Sequence, residues 1–221
     1  MATQPSESHA CSYSRPAVSE AVLVILFGLT AKTALDQLFG VVSVMDGPAK
    51  LWDALKRDPV WHFALVGQGV IFFLTCFRFY LGSLRYHQMR AHHTKVHSLL
   101  LDIVGTFILF MGFYICALSI KSQLNFYPFM AVLHILDGLW FVGAWAVGNV
   151  PEAQQTFIKR FIILDGVTVL VLLSIAVVFG IFEWRFGGPY FFFNGLCFLA
   201  LLVVGIVDFG WNRGLYVGSS S

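Results

Sequence analysis

The chain has 221 residues, 58% of them hydrophobic and only 12% charged, with a mean hydropathy of +0.77. A soluble domain carries about twice that charged fraction, so a soluble enzyme with a single greasy helix is excluded. The formal net charge of +2 is small and dispersed, which argues against nucleic acid as a partner.

The first 18 residues are polar and read as a disordered tail. Six apolar stretches follow: Ser19–Val44, Val60–Leu84, Ser98–Ile120, Tyr127–Val147, Phe157–Phe182 and Pro189–Trp211. Each reaches the roughly 20 residues that one bilayer crossing needs. The expected fold class is therefore an all-α integral membrane protein, a six-transmembrane-helix up-down bundle over 19–211, with 212–221 as a short tail. A signal-peptide reading of Ala21–Leu29 is weaker, because no cationic cluster precedes it and apolar residues resume through Val44. Short connections at Gln123–Asn125, Gly148–Pro151 and Gly187–Pro189 favour antiparallel neighbours. In the first loop, Asp46-Gly47-Pro48 is a turn signal and Leu51–Leu55 suggests a short interfacial helix.

Lysines and arginines set orientation. Arg15, Arg85, Arg90, Lys95, Lys159, Arg160 and Arg213 fall on one side, against Lys50, Lys56, Arg57, Lys121 and Arg185 on the other. The excess places both termini in the cytoplasm. Cys11, Cys76, Cys116 and Cys197 form no Cys-x-x-Cys pair and read as apolar filler, with neither a disulfide framework nor a zinc site.

Ionisable residues inside the spans mark candidate sites, since a charge in hydrocarbon is costly unless paired or wetted. In the first span, Lys32 and Asp36 are four apart and share a helical face. They read either as an internal ion pair or as part of a water-lined path. In the fourth span, His134 and Asp137 are three apart and form the best proton-relay candidate. Toward the cytoplasmic end, Arg78 and Arg85 share a face of the second span, and Asp102, Asp165 and Asp208 lie at the same depth. An interhelical salt-bridge network and the mouth of a pore are both compatible with that set. A weak echo relates Leu101-Asp102, Leu136-Asp137-Gly138 and Leu164-Asp165-Gly166.

Between the second and third spans, His87, His92, His93 and His97 crowd into eleven residues. His-x4-His-His-x3-His partly resembles the histidine boxes of integral membrane di-iron oxidases, the fatty-acid desaturases and their relatives. Those enzymes use two or three boxes, and here there is one. A metal at this loop is one reading; a pH-sensitive or headgroup-facing basic loop is the other, because Arg85, Arg90 and Lys95 are interleaved and would repel a cation. No other cofactor is implied.

Three functions are compatible with this pattern. The first is an ion channel or ion-coupled transporter moving protons or small cations along Lys32, Asp36, His134, Asp137, Arg78, Asp102, Asp165 and Asp208, in a homo-oligomer. The second is a non-catalytic membrane subunit or assembly protein. The third is a metal-dependent membrane enzyme acting on lipid. The balance leans away from an enzyme.

Overall fold

The structure is a computed structural model and describes residues 15–41, 56, 59–90, 96–122, 124–147, 152–186 and 190–217. The described residues are helical apart from the short connection around Ser122 and the junction at Asn212. They form α1 (Arg15–Val41), α2 (Pro59–Arg90), α3 (Val96–Leu118), α4 (Phe126–Val147), α5 (Glu152–Phe186), α6 (Tyr190–Trp211) and the short α7 (Arg213–Val217). Helix is the state that satisfies every backbone N–H and C=O within the segment, which long apolar runs demand.

Local signals mark the ends. Pro59 opens α2, where its fixed φ suits the first helical position and its missing N–H costs nothing. Between α3 and α4 the Ser122 hydroxyl accepts from the Asn125 N–H, and the Ser122 carbonyl accepts from Phe126 N–H. At the other end of the chain, Asn212 N–H donates to Asp208 and Tyr216 N–H donates to Asn212. The helical hydrogen-bond ladder thus runs from α6 into α7, and α7, within the expected short C-terminal tail, packs against α2.

The helices close a ring. α1 packs on α2 and α3, α3 on α4, α4 most extensively on α5, α5 on α6, and α6 back on α2. Aromatics fill the interior. Phe113 meets Phe72 and Phe79 edge-on, at 6.2 and 5.0 Å between ring centroids. Glycines set the closeness of α3 and α4. A Cβ on Gly105 would lie 2.5 Å from Trp140 Cδ1, and one on Gly112 would lie 2.9 Å from Leu133. The small residues seen in the sequence therefore mark a helix contact.

The distribution of polarity is inverted relative to a water-soluble protein. Phe63, Leu139, Leu170, Val178 and Ile206 stand more than 60% exposed, while Arg78, Asp102, His134, Asp137, Asp165 and Asp208 are buried. A soluble fold hides the first kind and shows the second. Among the described residues, five helical segments are long and apolar enough to cross a membrane: Glu20–Gly40, Pro59–Leu84, Phe126–Ala146, Gln155–Val178 and Phe192–Trp211. The sequence reading expected six. In α3 the apolar segment among the described residues is Asp102–Leu118. The interfacial helix expected at 51–55 lies outside the described residues.

Candidate buried charge cluster

The site is assembled from four helices and the short helix α7. Arg78 projects from α2 into the bundle, where its Nε donates to Asp208 Oδ2 at 2.7 Å and its terminal nitrogen approaches Asp165 Oδ1 at 3.4 Å. The same Asp165 oxygen lies 2.8 Å from Nδ1 of His134 on α4. Asp137, one turn along α4, is close enough to Asp165 for the two carboxyl groups to act on each other electrostatically. Two carboxylates this near one another in an apolar interior favour holding a proton on one of them. The two helices are close here: a Cβ on Gly138 would stand 3.8 Å from that of Asp165, an ordinary van der Waals contact. The two Leu-Asp-Gly echoes of α4 and α5 thus pack face to face.

Asp208 is held from three sides. Besides Arg78, it accepts from Asn212 Nδ2 at 2.6 Å and from the Tyr216 hydroxyl. Asp208, Asn212 and Tyr216 are spaced by four and lie on one helical face, which the continuous α6–α7 ladder preserves. Burial, and then the neighbouring Asp208, pushes the Tyr216 hydroxyl well above its ordinary pKa, so it remains a donor. The Arg78 guanidinium also lies 5.3 Å from the Phe79 ring and 5.5 Å from the Phe161 ring, which shield the cluster.

The charge balance decides what this arrangement can do. One guanidinium faces three carboxyl groups, leaving two negative charges without a fixed counter-charge. Neutrality in an apolar interior needs two protons, and the places to hold them are the Asp137–Asp165 pair and His134. With Asp165 accepting from Nδ1–H, the Nε2 of His134 is an acceptor in the neutral ring and a second donor in the protonated one. That nitrogen is buried and has no protein partner. His134 borders a cavity of about 380 Å³ between α2 and α6, whose walls are mostly apolar (Ile71, Leu74, Leu201, Phe209) and whose polar end is Arg78, Asp208 and Tyr216.

Not every residue singled out in the sequence arrives here. Asp102 is buried but hydrogen-bonds the Tyr86 hydroxyl at 3.4 Å, one helix away from Arg78. Lys32 and Asp36 pair with each other at 2.5 Å, on the outer face of α1, with side chains 72% and 61% exposed. The pair is real and is not internal. His92 and His93 lie outside the described residues, as do the side chains of His87 and His97, and no cluster suited to a metal occurs among the described residues.

Other polar residues enter that charge-based reading overlooks. Gln68 of α2 and Asn194 of α6 are 0% and 3% exposed, and both atoms of each amide lack a protein partner. Asn194 borders a second cavity of about 200 Å³ with Gly67, Tyr127 and Phe198. Asn212 and Tyr216 were equally missed; their signal was the spacing of four from Asp208. No protein family, curated protein or solved structure matches this chain.

Proposed function

We propose that this chain is a multi-pass membrane protein that takes protons into the buried cluster and couples them to transport. The helices alternate in direction and both termini face the cytoplasm. One observation carries the reading: the Asp137–Asp165–His134 group, joined through Arg78 to Asp208, holds three carboxyls against one permanent cation. A purely structural network balances its charges. This one is balanced only after it has gathered protons, and their gain or loss changes the charge of the bundle interior.

His134, Asp137 and Asp165 lie near the middle of the α4 and α5 spans, and Arg78 and Asp208 toward the ends of theirs. The cluster thus offers a stepped route from mid-membrane to the face that carries α7. Gln68 and Asn194 are buried hydrogen-bonding groups on the opposite half of α2 and α6 and supply polar partners there. Lys32, Asp36 and Asp102 are left out of the proton site.

The test is flux in proteoliposomes under an imposed pH gradient, read with an entrapped pH-sensitive dye. Asp137→Asn removes the shareable proton while keeping the shape. Flux should fall at least tenfold, with the elution volume and unfolding temperature of the purified protein retained. Wild-type vesicles that move no protons, or a variant with undiminished flux, would remove the proposal.

A second reading, a non-catalytic membrane subunit, is favoured by the direct pairing of Arg78 with Asp165 and Asp208. Buried ion pairs can be exchanged for apolar residues with little loss of stability. Under that reading Arg78→Met, Asp165→Leu and Asp208→Leu together leave both folding and cellular role intact.

A further inference from the structure

α1 carries a pattern that its own bundle does not use. Val22, Ile25, Leu29, Lys32, Asp36 and Phe39 are spaced alternately by three and four residues. That is the heptad spacing by which one helix presents a straight seam to another. Every member points out of the bundle. The four apolar ones are 43–60% exposed, and the two charged ones more so. α1 is also the least embedded of the five candidate spans, with 17% of its apolar window buried. The residues that do pack inward, Leu23, Thr30 and Ala34, lie on the other side of the helix.

Toward the C-terminal end of this seam, within Glu20–Gly40, sits the Lys32–Asp36 pair. Acyl chains cannot solvate it, so the face calls for a polar partner at that depth. The occupant is identified by complementarity. Two copies of one membrane protein insert in the same direction, so their α1 helices meet in parallel. In a parallel heptad pair, a knob at one layer enters the hole made by four residues of the facing helix. For Asp36 that hole is Lys32, Leu35, Asp36 and Phe39 of the second copy. Each carboxylate thereby meets two ammonium groups, one from its own helix and one from across the seam. The ring of four charges is neutral and self-matching. Gly28 flanks the seam with open space around it, which permits close backbone approach.

We infer that α1 is the interface of a parallel homodimer, with Lys32 and Asp36 of the two copies forming a shared, register-setting ion ring. The inference is independent of the proton reading, since neither residue belongs to the charge cluster.

Two experiments on the full chain test it, in detergent and after reconstitution. In a Cys11→Ser background, where the three remaining cysteines are buried, single cysteines are placed along α1 and oxidised. Ile25→Cys and Leu29→Cys should cross-link. Val24→Cys, exposed on the same helix but off the seam, and Leu170→Cys on α5 should not. This arm leaves the charges untouched, so a folding defect of a charge variant cannot mask it. The second arm separates pairing within a chain from pairing between chains. Lys32→Asp and Asp36→Lys should each lose the dimer by light scattering, and an equimolar mixture of the two should recover a heterodimer. Absence of seam cross-links, equal cross-linking at Val24, dimers that survive either charge variant, or a mixture that stays monomeric would each overturn the assignment.

Discussion

Arg78 shows how a single side chain can hold together charges that four helices supply. Removing it strands Asp165 and Asp208 without their cation in an apolar interior. Arg78→Met should destabilise the protein by about 3–5 kcal/mol, the range for breaking a buried pair from one side. Combining it with Asp165→Leu and Asp208→Leu should restore much of that loss, because the uncompensated charges leave with their partner. Unfolding of the purified protein in detergent measures both. Tyr216 tests the opposite end of the cluster. Its hydroxyl stays protonated and donates to a carboxylate, so Tyr216→Phe should cost about 1.5–3 kcal/mol, the value of a hydrogen bond to a charged group. A melting temperature unchanged in Tyr216→Phe would mean that α7 does not secure Asp208.

At the scale of elements, the α3–α4 contact depends on the absence of side chains. Gly105 stands against the indole of Trp140, and an added methyl would sit 2.5 Å from its Cδ1. The indole is wedged beside Tyr86 and Phe141, at 5.2 and 5.0 Å between centroids, and has little room to retreat. Gly105→Ala should therefore cost about 1–3 kcal/mol by overpacking. Gly166 of α5 has open space where its Cβ would be. There Gly→Ala should gain about 0.5–1 kcal/mol, because a mid-helix glycine costs backbone entropy. Two glycines within apolar helices thus predict opposite signs, and equal melting temperatures in the two variants would contradict this account of the packing. Asp208, Asn212 and Tyr216 make the same point about continuity: one face survives across the α6–α7 junction because the backbone ladder does.

At the scale of the whole molecule, polarity is sorted into two compartments. The interior cluster is reached from α2, α4, α5 and α6, whereas Lys32 and Asp36 face outward from α1. If these are separate devices, Lys32→Leu with Asp36→Leu should abolish dimer cross-linking and leave proton flux per chain unchanged. Dye-reported flux and cross-linking on the same vesicles read the two together. A parallel fall in both would join the outer pair to the transport route after all.

Helices and their apolar character were legible in the chain because hydropathy and length are one-dimensional quantities that a bilayer-scale run displays directly. The boundaries of α4 and α6 agree with the sequence expectation to within a residue for that reason. Pairings within one helix were legible too, as with Lys32 and Asp36, since a spacing of four fixes a shared face. Which direction that face points was not. Lys32–Asp36 could be read as internal until the ring of helices showed α1 turning it outward. The choice among three aspartates for Arg78 was equally undecidable from spacing, because Asp165 and Asp208 lie 87 and 130 residues away along the chain. Packing of α2 between α1 and α6 selects Asp208 and Asp165 and leaves Asp102 to Tyr86. Local periodicity specifies a side chain's neighbours on its own helix; only the arrangement of helices around one another specifies its neighbours across the interior, and the chemistry of the cluster lies in those.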